Sequence, residues 1–176
     1  ESQLEAQAKI EEFRKEKTLS IETRDSNSPT RVLELRRKHE DNIKSLKSDL
    51  KKSTAFVKRV KAVTPEGISQ CVREVEALNL NLYIEEIVLG IIETKYKATD
   101  VSSIALLCSA LHRRYEAFTM PLLNGLKESL LSVNGGGDDA DSLKRKRIQM
   151  RLMIELFEIG VHSDEDFFSR YLSYLL

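Results

Sequence analysis

LNLNLYIEEIVLGIIETKYKATDVSSIALLCSALHRRYEAF, residues 78–118, decides the fold of this chain. In its first half Ile84, Ile87, Val88, Ile91 and Ile92 recur three and four apart, the spacing that lines one face of a helix. In its second half Val101, Ile104, Cys108, Leu111, Tyr115 and Phe118 do the same with the best periodicity of the whole sequence. Two helices are predicted, joined by a turn of about four residues. Asn79 or Asn81 is placed to cap the first, with Glu85 and Glu86 near the positive end of its dipole. Thr99 or Asp100 is placed to cap the second. Two helices alone can bury only part of each apolar face, so the hairpin requires others stacked before and after it, as in helical solenoids.

Toward the N-terminus, residues 1–24 are charged, and Leu4, Ala8, Ile10 and Phe13 follow the helical period poorly. A solvated helix and a disordered leader both fit. Asp25-Ser26-Asn27-Ser28-Pro29 is a linker by composition. Val32, Leu35, His39, Ile43, Leu46 and Leu50 then mark one face of a long basic helix, with Ala55, Phe56 and Val60 as its continuation. Thr64-Pro65 starts another helix, with Thr as cap and Pro in the first turn, where its missing N–H costs nothing. Ile68, Cys71, Val72 and Val75 form its inner face.

Toward the C-terminus, Met120-Pro121 is expected to break the ladder and start a short helix carrying Leu122, Leu123, Leu126 and Leu130. Asn134-Gly-Gly-Gly-Asp-Asp is a flexible acidic loop by composition. A helix from about Ser142 turns Ile148, Leu152, Met153, Leu156 and Ile159 inward, and Gly160 suits the left-handed residue that ends it. Ser163 with Asp166 is similar to a capping box for a last helix carrying Phe167, Phe168, Tyr171, Leu172 and Leu175. No stretch alternates with a period of two, so the fold is read as all-α. The sequence has no initiator Met and no helix-ending signal after FFSRYLSYLL, which leads to the expectation of an excerpt from a longer chain. On that reading its C-terminal end presents an apolar face for a further hairpin to cover.

Composition agrees. Charged residues reach 32%, while Gly, Pro and aromatics are sparse, the mix of a helical protein. Lys plus Arg and Asp plus Glu both number 28, so net charge points to no partner. The local balance differs, with eleven basic residues against four acidic ones from Arg31 to Lys61. The two cysteines, Cys71 and Cys108, each hold an apolar helix position, which argues against a disulfide framework and fits a reducing compartment. No apolar run approaches the roughly 18–20 residues of a membrane span.

LNLNLYIEEIV (residues 78–88), followed by ATDVSSIALLCSALHRRYEAF (residues 98–118), resembles the middle domain of eukaryotic initiation factor 4G. KKSTAFVKRVKAVT, Lys51 to Thr64, is similar to that family's lead-in, and RLMIELFEIGV, Arg151 to Val161, to a later helix. LCSALHRRYEAF narrows the resemblance to the first such domain of nonsense-mediated mRNA decay scaffolds. It covers Lys51 to Leu176 and leaves residues 1–50 unmatched. It implies stacked antiparallel hairpins of the HEAT type, an α-solenoid, of which this chain is the N-terminal part. The chain then divides into a leader and linker over 1–30, a basic helical extension over 31–64, and the first hairpins of a truncated domain over 65–176. The implied function is a non-enzymatic scaffold of mRNA surveillance that organises protein partners. Those partners are other Up-frameshift factors, met mainly through regions outside this stretch, with RNA and the surveillance kinase complex as further candidates. No membrane, cofactor or small-molecule substrate is implied, and the location is cytoplasmic, often perinuclear, with nuclear shuttling a candidate. The alternative is an adaptor of translation initiation or splicing that clamps a DEAD-box RNA helicase.

The candidate contact residues are basic. Arg36, Arg37, Lys44, Lys47, Lys51, Lys52, Lys58 and Arg59 could neutralise several phosphates, each steepening the salt dependence of binding. A solvated helix face is the plainer reading, and an acidic partner segment is another. Little aromatic interleaving argues against sequence-specific base readout. Arg113 and Arg114 either bridge to a neighbouring helix or meet a partner. Cys108 and His112 stand one helical turn apart, yet a nucleophile needs access that a core position denies. His39 and His162 show no metal-ligand spacing, and the Gly-Gly-Gly run lacks the Lys-Ser or Lys-Thr of a phosphate loop. Catalytic, cofactor and metal residues are therefore none. Lys144-Arg145-Lys146-Arg147 matches a nuclear-localisation patch only by its charge.

Overall fold

The computed structural model describes residues 2–43, 49–62, 64–132 and 140–175. Among these are α1 (Ser2–Ser26), α2 (Pro29–Ile43), α3 (Leu50–Ala62), α4 (Pro65–Glu74), α5 (Ile84–Glu93), α6 (Val101–His112), α7 (Glu116–Leu131), α8 (Ala140–Glu158) and α9 (Glu165–Leu175). Single 3-10 turns, Asn81–Tyr83 and Ala98–Asp100, lead into α5 and α6. The described residues contain no strand, so the all-α reading holds. The Gly-rich loop and the residues between α2 and α3, Lys44 and Lys47 included, lie outside the described residues.

Helices pack mainly against those two positions away in the chain. One layer runs α3–α5–α7 and the other α4–α6–α8, with α3 against α4 and α7 against α6 and α8. This is the arrangement that a hairpin unable to bury its own faces requires. Phe56, Ile68, Leu80, Ile87, Ile104, Leu107, Leu111, Phe118, Leu122, Leu126, Leu130 and Leu152 are all under 2% exposed in a single core. Gly125 lets α7 pass close to α5, because a Cβ there would overlap Ile92 Cδ1.

Several boundaries differ from the sequence reading, each for a physical reason. α6 ends at His112, and Tyr115 is buried in the turn that follows rather than on the helix. Its hydroxyl donates to the Leu78 carbonyl at 2.8 Å and accepts from the Leu80 N–H at 3.2 Å, tying that turn to the entrance of α5. α7 starts at Glu116 and runs straight through Pro121. The ring removes one ladder bond there, and the buried Phe118 and Leu122 on either side hold the helix. Asp164 rather than Ser163 caps α9, accepting from the Phe167 N–H at 3.0 Å. Asp100 accepts from the Lys97 N–H at 2.8 Å and so braces the 3-10 turn instead of capping α6. Thr64 does cap α4, accepting from Gly67 N–H at 3.1 Å, and Gly160 takes φ +75 at the end of α8.

The basic stretch is two helices rather than one, and the linker read over residues 25–29 is a tight turn of Asn27 and Ser28 between α1 and α2. Asn27 is 3% exposed. Its amide donates to the Ile159 carbonyl at 2.7 Å, and its carbonyl oxygen accepts from the Ser109 hydroxyl at 3.0 Å. Arg24 donates to the Phe157 and Glu158 carbonyls at 3.3 and 3.1 Å, placing a positive charge on the C-terminal carbonyls of α8. α1 is thus a largely solvated helix whose C-terminal end is docked on the stack.

Candidate functional site

α2 meets the end of α6 through Arg36 and the turn after it through His39. Arg36 donates from Nε at 3.2 Å and from Nη2 at 2.9 Å to the carbonyl of His112, satisfying the C-terminus of α6 with a positive charge at its negative dipole end. His39 is buried and meets the Tyr115 ring edge-on, centroids 4.9 Å apart. Arg114 pairs with Glu76 and donates to the Ala110 carbonyl at 3.4 Å. Arg113 is half-buried, and burial followed by the Arg114 charge pushes its pKa down.

α3 buries Ser53, Phe56, Val57 and Val60. Arg59, beside them, pairs with Glu74, which Gln70 also holds at 2.6 Å. Lys61 pairs with Glu86 at 2.8 Å. Lys51, Lys52 and Lys58 remain exposed on the outer side, as does Arg37 on α2. Lys52 stands 3.7 Å from Asp49 in an exposed pair that contributes little to stability.

The ten candidate residues therefore separate. Arg36, Arg59 and Arg114 hold elements together, and Arg113 is half-buried next to Arg114. Arg37, Lys51, Lys52 and Lys58 stay on the surface, Lys51 and Lys58 on one face of α3 two turns apart. Lys44 and Lys47 lie outside the described residues.

The groups with nucleophilic or ligating chemistry are built into the interior. Cys108 is fully buried, and burial pushes its thiol far above the ordinary range. Burial likewise raises Cys71, which faces the Phe56 carbonyl. His112 Nδ1 meets the Thr119 hydroxyl at 2.7 Å. Burial first, then Arg36 and Arg113, push its pKa down to about 4. Burial also lowers His39 and His162. His162 Nε2 faces the Met153 carbonyl at 3.0 Å while its Nδ1 accepts the Asp164 N–H at 3.3 Å, so the proton is on Nε2. Among the described residues no His, Cys and carboxylate groups cluster as metal ligands, and no helix is long and apolar enough to cross a membrane.

Sequence reasoning missed Asn27, whose signal, a lone Asn in a polar turn, is the same whether the turn is buried or exposed. It also missed that Lys144, Arg145 and Arg147 line a cleft at the start of α8.

A two-layer stack of antiparallel helices, with its reactive side chains in the core and charge at its edges, defines a helical scaffold domain of the initiation-factor-4G middle type, or MIF4G. The chain superposes on the first MIF4G domain of human nonsense mediated decay factor UPF2 with a TM-score of 0.65 and 31% identity, covering 92% of this chain and 55% of that one. It superposes on the N-terminal mIF4G domain of Saccharomyces cerevisiae Upf2 with a TM-score of 0.58, covering 76% and 48%, where 23% identity speaks for the fold alone. In sequence it is 30% identical over 172 residues to Regulator of nonsense transcripts UPF2 of Arabidopsis thaliana, covering 93% of this chain. It is 33% identical over 130 residues to human Regulator of nonsense transcripts 2, covering 74% of this chain. The sequence matches no family model. The chain belongs with the first MIF4G domains of the UPF2 family. It spans 14% and 10% of the length of those two relatives. The likeness also reaches into the first fifty residues, since 93% is more than Lys51–Leu176 alone could supply.

Proposed function

We propose that this chain is a non-enzymatic scaffold element of nonsense-mediated mRNA decay, acting in the cytoplasm by holding docking surfaces of a larger protein at fixed separation. The observation that carries this reading is the likeness to UPF2 over nine-tenths of the chain, in fold and in sequence together. The interior supports it, because Cys71, Cys108 and His39 are buried and the half-buried His112 and His162 are engaged by Thr119 and the Met153 carbonyl as bracing groups. Capture of partners from cell extract with the tagged chain, read by mass spectrometry, tests it. Enrichment of Up-frameshift factors is the expected result. Enrichment of an initiation or splicing DEAD-box helicase in their place would move the chain to a different MIF4G function.

Within this reading, the RNA contact belongs to the outer face of α3, with the exposed Arg37 of α2 as a further candidate. Lys51→Glu with Lys58→Glu is expected to weaken binding to single-stranded RNA and to flatten the log–log salt dependence by about one to two units. Filter binding across a salt series measures it, and an unchanged slope removes α3 from the interface.

A further inference from the structure

The turn from Thr94 to Ala98, between α5 and the 3-10 turn before α6, faces the first half of α8 across a cleft of about 510 Å³. Tyr96 lies at its base, 8% exposed, beside the half-buried Ile148. Lys95 and Lys97 line one side, and Lys144, Arg145 and Arg147 line the other. Among the described residues that line it, Asp141 is the one carboxylate. It stands 3.9 Å from Lys95, both side chains being more than 80% exposed, so it offsets little of the surplus. The α8 wall is anchored. Gln149, 1% exposed, donates to the Ile92 carbonyl at 3.1 Å and accepts from the Ser129 hydroxyl at 2.9 Å. Arg145 donates to the same carbonyl at 3.2 Å. Three of the four cations of the Lys144–Arg147 run thus belong to a built concavity on an ordered helix.

An apolar base beneath a cationic rim selects an anionic ligand that also carries an apolar group. Single-stranded RNA is held by stacking bases on open aromatic faces as well as by charge, and the one aromatic ring among the described residues lining this cleft, Tyr96, is buried. An extended acidic peptide makes no such demand. Its backbone can follow the rim, its carboxylates can meet Lys and Arg whose aliphatic stems extend the apolar base, and one apolar side chain can sit over Tyr96 and Ile148. We propose that this cleft docks an acidic peptide segment with an apolar anchor, a site separate from the α3 face and independent of the surveillance reading.

Fluorescence anisotropy tests it with the 176-residue chain and a fluorescein-labelled peptide that places a Leu pair between runs of Glu and Asp. An oligouridylate of matched charge serves as the comparison arm. The peptide is expected to bind more tightly than the oligouridylate. Lys144→Glu with Arg147→Glu, both exposed positions, is expected to weaken it roughly tenfold. Replacing the Leu pair by Gly is expected to weaken it by a similar factor, and Lys51→Glu with Lys58→Glu to leave it unchanged. Circular dichroism melting establishes that each variant remains folded. Absence of peptide binding overturns the proposal, and so does binding indifferent to the charge reversal or to the Leu pair. Tighter RNA binding lost on the same reversal overturns it too, by assigning the cleft to nucleic acid.

Discussion

Asn27 carries more of this structure than its neighbours Ser26 and Ser28 suggest, because its one side chain serves both the Ser109 hydroxyl on α6 and the Ile159 carbonyl at the end of α8. Asn27→Ala leaves both groups buried without that partner and is expected to cost about 2–4 kcal/mol in urea unfolding. Adding Ser109→Ala should cost little more, since the two share one interaction; full additivity would mean that they act separately. Leu111, with 0% exposure, is expected to lose about 2–5 kcal/mol on Leu111→Ala through the cavity left behind, and a melting temperature near that of the wild type would refute its place in the core. His112 makes stability depend on pH. Its folded pKa, about 4, lies below the ordinary value of about 6.5. The unfolded chain therefore binds its proton first as pH falls. The stability it contributes is fully present above pH of about 6.5 and is lost progressively as pH drops toward about 4. Half-buried as it is, the loss is on the order of 1–3 kcal/mol. His112→Asn is expected to flatten the fall of the urea midpoint between those values. At this scale the sequence showed which residues face inward, since Leu111 and Cys108 follow directly from the period. It could not separate Arg36 and Arg59 from Lys51 and Lys58. Burial of an arginine depends on an acceptor elsewhere, and the His112 carbonyl that Arg36 serves is 76 positions away.

The helices themselves were the most legible part, and their ends the least. From Val101 to Phe118 the threes and fours continue across a helix end because Tyr115, in the turn, is buried at the spacing a helix would give it. Periodicity records burial, and burial does not stop where the backbone leaves the helix. Pro121 misled for the opposite reason, since a local breaker signal was outweighed by the packing of Phe118 and Leu122. Gly160 at the end of α8 was read correctly, because the demand for φ > 0 is written in one residue type, while the cap of α9 at Asp164 was not. Gly160→Ala is expected to cost about 1–2 kcal/mol from the left-handed backbone. The new Cβ would also stand 3.2 Å from Arg24 Cγ. Limited proteolysis should then cut the Asp25–Pro29 turn sooner than in the wild type; an unchanged cutting rate would show that the α1 dock does not depend on the α8 end.

For the molecule as a whole, partners two helices away explain why no single hairpin suffices. α5 is held between α3 and α7, and α6 between α4 and α8, so each unit is complete only within the stack. The all-α class and the stacking followed from amphipathic faces too wide for one partner. The docking of α1 did not follow, because its surface is charged on most sides and its attachment lies in Arg24 and Asn27 at one end. The family could be read from LCSALHRRYEAF, whose side chains are mostly interior, so the segment that identifies the chain is its framework rather than its contact surface. The proposed role of that framework is mRNA surveillance. The most direct measurement is the half-life of a premature-stop reporter mRNA in Arabidopsis thaliana cells whose UPF2 has its matching segment replaced by this chain. Decay restored well above that of a segment deletion is the predicted result. A reporter as long-lived as in the deletion, with the hybrid folded and present at normal abundance, would contradict it.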